Sequence, residues 1–210
     1  MPLDEPLYPI NLRLKGAHCL VVGAGRVALG KVQGLLDAEA VVTVVAPDVI
    51  DELAALDVTV ERRAYRSGEV TGYRVVIAAT GDPSVNRAVF LDGEAAGVWV
   101  NAADDPENCA FTLPARIRRG PLLVTFATGG RSPALAQWLR RRYEDEFGPE
   151  YDVLIEMLAA ARDEHRARGA TTEGPGWQRA LDSGMLELIR EGHLAEAKER
   201  LQACLSSSSD

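Results

Sequence analysis

Residues 18–31 read HCLVVGAGRVALGK, and the order of parts in this stretch decides the fold. Positions 19–22 are a short apolar run of the kind that forms a buried strand. Gly23-Ala24-Gly25-Arg26-Val27-Ala28 follows, and a helix-period pattern then continues through Leu36. Strand, glycine-rich turn and helix in that order is the context that a dinucleotide-binding fingerprint requires. Gly23 permits the tight turn, and Gly25 lets a pyrophosphate approach the backbone. Ala28 is small enough for the helix to pack closely on the strand. The N–H groups at the start of that helix are then placed to face a diphosphate. Glycine-rich turns also occur in α/β proteins without a ligand, but the flanking strand and helix favour the nucleotide reading.

Composition bounds the rest. At 210 residues the chain has room for one α/β domain and a smaller appendage. Its 47% hydrophobic and 26% charged content is that of an ordinary globular protein. No apolar run approaches the roughly 18 residues of a membrane span. The start, MPLDEPLYPINLRLKG, carries acids and prolines where a signal peptide has a basic region and an apolar stretch. The expected setting is therefore the cytoplasm, without a membrane partner. Cys19, Cys109 and Cys204 are odd in number and far apart, which reads as three reduced thiols. His18, His165 and His193 are equally scattered, so no metal site is expected.

Strand and helix patterns alternate as far as about residue 105. Residues 41–45 form a buried-type strand ended by Ala46-Pro47-Asp48. A helix is predicted over 49–56, a short strand over 58–61 and another buried strand over 73–79. The run from Thr80 to Asn86 opens a further helix, and 98–102 is a fifth strand. Valine-rich strands between amphipathic helices predict a parallel sheet covered on both faces. From Cys109 the pattern changes: 111–117 and 122–127 read as two strands, with Arg118-Arg119-Gly120-Pro121 as a hairpin-like turn. Ser132 is the predicted N-cap, with Pro133 at the first position, of a helix over 134–147. The remainder is predicted helical: 151–168, a break at 169–176, and two shorter helices to Leu205. The Ser-Ser-Ser-Ser-Asp end reads as frayed. The three tryptophans fall at spacings that suggest core packing. The predicted class is α/β: a Rossmann-type parallel-sheet domain, a small α+β segment, and a helical C-terminal domain.

Charge carries a second signal. The chain has a net charge of −8, yet 108–142 contains no acidic residue and seven arginines: Arg116, Arg118, Arg119, Arg131, Arg140, Arg141 and Arg142. Such asymmetry points to an anionic partner at one place. An acidic protein offers nucleic acid a poor field, and none is expected as a partner. A small polycarboxylate fits better, because arginine forks pair carboxylates bidentately. For Arg140, Arg141 and Arg142 the plainer reading is a solvated helix face. Arg131 differs, since two glycines before a capped helix in Thr128-Gly129-Gly130-Arg131-Ser132-Pro133 make an anion-binding concavity of N–H groups.

A third signal is Asn101-Ala102-Ala103-Asp104-Asp105-Pro106, at the carboxyl end of the fifth strand. Open α/β sheets bind their ligands at that edge, so Asp104 is placed for chemistry. The competing reading is a turn, which Asp before Pro commonly initiates.

Taken together, YPINLRLKG, VVGAGRVALGK, VVAP, IAATGDPSVN, VNAADDP and ATGGRSPALA resemble, in order and spacing, the precorrin-2 dehydrogenases of siroheme synthesis. The resemblance covers roughly residues 7–145. In length the chain resembles the stand-alone enzyme, without the methyltransferase domain of longer siroheme synthases. The resemblance implies NAD-dependent oxidation of precorrin-2, a tetrapyrrole with eight carboxylates, to sirohydrochlorin. It also implies a homodimer built through the strands and helix after residue 109. Some relatives in addition insert Fe²⁺ into the product, so a bifunctional dehydrogenase–ferrochelatase stays open. A non-catalytic NAD-sensing module is the reading from another class; it explains the glycines but not Asp104 or the arginines.

Residue by residue, the family's nucleotide contacts fall on Gly23, Gly25, Arg26, Val27, Pro47 and Asp48, with Thr80 toward the nicotinamide. Its essential carboxylate falls on Asp104. Substrate contacts are expected from Arg116, Arg119, Thr128, Gly129, Gly130, Arg131 and Ser132; Thr128 stands where relatives often carry Ser. The implied division is an NAD-binding domain over 1–114, a dimerisation and substrate-binding segment over 115–148, and a helical domain over 149–210. NAD over NADP follows from the resemblance, with weak support from Asp48 and the lack of a basic residue at 46–50.

Overall fold

The computed structural model describes residues 6–103 and 105–206. Asp104, on which the catalytic expectation falls, lies outside the described residues. The chain divides into two compact units, one of 1–113 with 129–132 and one of 114–128 with 133–210.

The first unit holds five parallel strands: β1 (His18–Val22), β2 (Val41–Val45), β3 (Thr59–Glu61), β4 (Val75–Ala78) and β5 (Trp99–Ala102), in the order β3-β2-β1-β4-β5. In β1, Val22 pairs with Val45 on one side and Ala78 on the other. Successive side chains of a strand alternate between faces. Cys19 and Val21 accordingly enter one core with Val42, Val44 and Ile77, while Leu20 and Val22 enter another with Val76, Val89 and Val100. Burial on both faces is why the central strands β1, β2 and β4 are almost entirely apolar. The helix α1 (Arg26–Leu36) covers the first face with Ala28, Val32 and Leu35. A single helical turn, α2 (Asp51–Ala54), follows β2, and α3 (Pro83–Ala96) covers the second face. The start of α3 is capped by Asp82, whose carboxylate accepts from Ser84 N at 2.8 Å.

Helix α2 is shorter than the predicted 49–56 because Ile50 is extended, and its N–H is taken by Ala24 O at 3.2 Å. The strand expected over 111–117 begins only at Ala115, and residues 109–111 lie elsewhere. Ala110 N donates to Val100 O at 2.8 Å and Asn101 Nδ2 to Phe111 O at 2.8 Å, so this segment lies along β5 instead.

Asp92 of α3 ties down the loop after β3. It accepts from Tyr65 Oη (2.7 Å), Gly68 N (2.8 Å) and Ser67 Oγ (3.0 Å). These bonds, the Tyr65 hydroxyl foremost, hold the Asp92 carboxyl below its ordinary value, while burial and Asp92 raise the Tyr65 hydroxyl. Asp92→Ala is expected to cost about 1–3 kcal/mol at neutral pH. A carboxyl held low in the fold stabilises above the unfolded value, about 3.9, and that contribution fades as pH falls through the folded value. Urea unfolding should therefore separate variant from wild type at pH 7 and bring them together at strongly acidic pH. An undiminished gap in acid would show that the carboxylate is not the cause.

The second unit begins with β6 (Ala115–Arg119) and β7 (Leu122–Phe126), an antiparallel pair in which Arg119 faces Leu122. The turn is therefore only Gly120-Pro121, and Arg118 and Arg119 belong to the strand rather than to the expected four-residue turn. Gly120 at φ +51° followed by a proline, whose φ is negative, has the sign pattern of a type II′ hairpin turn. Helix α4 (Pro133–Tyr143) starts at the expected proline and ends before the predicted 147; its Tyr143 stacks on Phe126 at 5.9 Å. The helices α5 (Glu150–Ala167), α6 (Pro175–Leu181), α7 (Met185–Arg190) and α8 (Leu194–Ser206) enclose a third core around Leu154, Met185, Ile189 and Leu201. Among the described residues three helices, not two, thus follow α5, because the chain turns at both Gly184 and Gly192. The tryptophans also depart from expectation. Only Trp177 packs against a core, whereas Trp99 and Trp138 are 43% and 49% exposed.

Candidate nucleotide-binding site

The carboxyl ends of β1, β2, β4 and β5 meet at one edge of the first unit, and the strand-to-helix turns there are tied to one another. Gly23 N donates to Val45 O at 2.9 Å, joining the end of β1 to the end of β2. The bond from Ile50 N to Ala24 O brings the Pro47-Asp48 loop against the same turn, and both of those residues are exposed. On the other side, Gly23 (φ +106°) lies against the peptide that follows β4. A Cβ built on it would sit 2.3 Å from Ala79 O and 3.0 Å from Thr80 N. Only glycine meets both conditions, the backbone angle and the contact.

Gly25 behaves differently. Its own Cβ position meets nothing within 4 Å, so a ligand has open approach to the backbone. Gly25 caps α1 without any side-chain hydrogen bond, and no acidic residue lies in the first turn. Helix-start N–H groups without a side-chain partner are the donors that a diphosphate uses. Arg26 and Val27 begin the helix and are exposed, while Ala28 is fully buried against the sheet, as a third fingerprint position should be. These residues fit a dinucleotide.

Thr80 leaves the end of β4 in a fixed loop. Its N–H and Oγ1 both donate to Asn86 Oδ1, at 3.1 and 2.7 Å, and Asn86 Nδ2 donates back to Thr80 O at 3.3 Å. Beyond β5, buried Asn101 donates to Cys109 Sγ at 3.3 Å, and Asn108 Nδ2 donates to Asp105 Oδ2 at 2.5 Å. Burial raises the Cys109 thiol above its ordinary value, which keeps it protonated at neutral pH. Asn86, Asn101 and Asn108 were not singled out from sequence. Their only cue was an amide inside an apolar pattern, and such an amide acquires meaning once its partners are known.

The expected substrate residues are divided between the two units. Gly129, Gly130, Arg131 and Ser132 belong to the first, with Gly129 and Gly130 at φ +59° and +74°. Arg116, Arg119 and Thr128 belong to the second. On β6, Arg116 and Arg118 are exposed on one face, whereas Arg119 lies on the face of buried Ile117 and donates to Glu144 O at 3.0 Å. Arg140 is paired with Glu144 at 2.7 Å, and Arg142 stands over the Trp138 ring at 5.4 Å.

A groove of about 580 Å³ lined by His18, Arg74 and Trp99 opens at the amino ends of the strands. Ligands of parallel α/β sheets bind at the carboxyl ends, so this groove is not the nucleotide site. Among the described residues there is no group of three or more His, Cys, Asp or Glu that could hold a metal. No helix among them is long and apolar enough to cross a membrane.

Parallel strands in the order β3-β2-β1-β4-β5, with this turn at the carboxyl end of β1, define a Rossmann-type dinucleotide-binding protein. Residues 10–115 match the NAD_binding_7 family, described as "Putative NAD(P)-binding", and the chain belongs to that family. It is 35% identical to a siroheme synthase of Nitrosomonas europaea over 96% of its length and 39% identical to one of Thioalkalivibrio sulfidiphilus over 97%. It spans 44% and 43% of those two relatives. Among solved structures, it is similar to one titled "SirC, precorrin-2 dehydrogenase", with a TM-score of 0.70 and 24% identity over 95% of this chain and 100% of that one. The fold is shared with that structure, and the motif resemblance over roughly 7–145 is borne out, with the likeness to siroheme synthases running beyond it over 96–97% of the chain.

Proposed function

We propose that the protein is an NAD-dependent dehydrogenase that oxidises precorrin-2 to sirohydrochlorin in siroheme synthesis. One observation carries the reading: the likeness to siroheme synthases runs through nearly the whole chain, beyond the nucleotide-binding part. Gly23, Gly25, Arg26 and Val27 would hold the pyrophosphate, Pro47 and Asp48 the adenosine side, and Thr80 the nicotinamide side. Asp48 and the lack of a basic residue at 46–50 favour NAD over NADP. NAD, when bound, supplies the two-electron acceptor. Oxidation also releases a proton from the macrocycle, and the Asp104 carboxylate takes it as general base. Exposed Arg116, with Thr128, Gly129, Gly130, Arg131 and Ser132, would orient the acetate and propionate groups. Arg119 is included in that set, although its bond to Glu144 O also gives it a role inside the hairpin.

The proposed division of labour follows the chain: nucleotide in 1–114, substrate and dimer contacts in 115–148, helices in 149–210. Leu135 and Trp138 of α4 are 46% and 49% exposed, an apolar surface that a second copy would cover in a homodimer. The setting proposed is the cytoplasm, where the three free thiols stay reduced.

The deciding experiment mixes purified protein, NAD and precorrin-2 without oxygen and follows absorbance at the NADH band, with sedimentation of the same preparation. NADH should form in step with sirohydrochlorin, from a dimer. NAD binding without any turnover would instead favour a non-catalytic sensing module.

A further inference from the structure

We propose that Asn86 is a positioning residue for the dinucleotide: its buried amide fixes the Thr80 peptide, and through it both the loop after β4 and the Gly23 turn. This rests on the reading that the dinucleotide binds at that edge. Asn86 is 6% exposed and one of four buried polar residues among the described residues. A buried amide has to be hydrogen-bonded, and this one is bonded to a single neighbour. Its Oδ1 takes the Thr80 N–H and hydroxyl, and its Nδ2 donates to the Thr80 carbonyl. The hydroxyl oxygen in turn accepts from Asp82 N at 3.2 Å, which extends the constraint around the loop.

Helix α3 does not need these bonds to begin, since Asp82 already caps it. An apolar residue of similar size would fill the same space in the core. What the amide adds is a fixed backbone, because satisfied buried polar groups specify one arrangement. The peptide so fixed is the one against which Gly23 is pressed, with the built Cβ at 2.3 Å from Ala79 O. The Ala79–Thr80 peptide is therefore held between the Asn86 side chain and the first glycine of the fingerprint. A loosened peptide shifts the nicotinamide-side loop and the phosphate-side turn together. Binding sites lose affinity when the shell behind them is left loose.

The test is calorimetric titration with NAD of wild type, Asn86→Ala, Thr80→Val, Thr80→Ser and the Asn86→Ala/Thr80→Val double variant, each checked for folding by thermal unfolding. Asn86→Ala and Thr80→Val are each expected to weaken NAD about tenfold, and Thr80→Ser, which keeps the hydroxyl, to lose less than Thr80→Val. Because Asn86→Ala already removes the bond that Thr80→Val takes from the Asn86 amide, the loss in the double should fall well short of the product of the two single losses. Wild-type affinity in a folded Asn86→Ala protein, or multiplied losses in the double, would overturn the proposal. If Asn86→Ala fails to fold, Asn86→Leu, which keeps the volume and loses the amide, decides: wild-type affinity overturns the proposal, and a loss of about tenfold supports it. Wild type that does not bind NAD at all would remove the cofactor reading itself, and the proposal with it.

Discussion

Asp104→Ala is expected to stay folded, to bind NAD as wild type does, and to lose precorrin-2 turnover by about 10²–10⁴-fold, the usual cost of removing a positioned general base. The competing reading is that an aspartate ahead of Pro106 only starts a turn. The neighbouring residues weigh against that. Asp105 already performs the turn: its N–H donates to Ala102 O, its carbonyl accepts from Asn108 N, and its carboxylate accepts from the Asn108 amide. Those bonds hold the 3-10 turn over Pro106–Asn108 through Asp105. The loop is also anchored from outside by Cys109 Sγ, 3.2 Å from both Ala102 O and Asp105 O. Replacing Asp104 should therefore remove a carboxylate and leave its support standing. Single-turnover kinetics under anaerobic conditions, with NAD affinity measured in parallel, separates the readings. A variant that turns over near the wild-type rate would make Asp104 structural and end its role as base. A variant that loses NAD binding as well would point to a collapsed loop rather than to lost chemistry.

The fold was most legible where one local pattern had a single physical solution. Residues 18–36 could not bury a valine run, turn on two glycines and continue with Ala28, Val32 and Leu35 in step except as strand, turn and helix. The valine-rich runs at β2, β4 and β5 likewise had to be covered on both sides. The failures lie where a distant partner decides. Phe111 looks like the start of a hairpin strand over 111–117, but Ala110 is bonded to Val100 O and the Asn101 amide holds Phe111 O, so the strand begins only at Ala115. The apolar 49–56 pattern is real, yet the helix holds only 51–54, because Ile50 is extended with its N–H taken by Ala24 O and 55–56 already turn away. The spacings of Trp99 and Trp138 suggest core packing, yet spacing alone does not show that both side chains stay nearly half exposed. The same holds at the site. Gly23 and Gly25 announce themselves by backbone requirement, whereas Asn86 has no local signature, since its partner lies six residues back across a turn. The substrate residues were legible only as a cluster of charge, and the structure distinguishes them by strand face, with Arg116 exposed and Arg119 turned onto the face of Ile117.

The two fingerprint glycines should fail in opposite ways, which makes them the sharpest test of the nucleotide site. Gly25 has φ −90° and ψ −170°, ordinary extended backbone, and space around its Cβ. Gly25→Val is therefore expected to fold with nearly wild-type stability. Its branched side chain would occupy the approach that a pyrophosphate needs, so NAD should bind at least about tenfold more weakly, a loss of about 1.4 kcal/mol or more. Gly23 has neither freedom. Even a methyl group at φ +106° would be driven into the Ala79 carbonyl, a backbone atom that cannot swing aside as a flexible side chain could. Strain of this kind and overpacking each cost about 1–3 kcal/mol, so Gly23→Ala is expected to lose about 2–5 kcal/mol of stability. Urea unfolding of both variants, followed by calorimetry on whichever is folded, gives the comparison. A folded Gly25→Val protein with unchanged NAD affinity would show that the diphosphate is held elsewhere, whatever the glycines look like. A Gly23→Ala protein as stable as wild type would show that the turn can open away from β4, and the rigid edge on which the whole site is built would have to be abandoned.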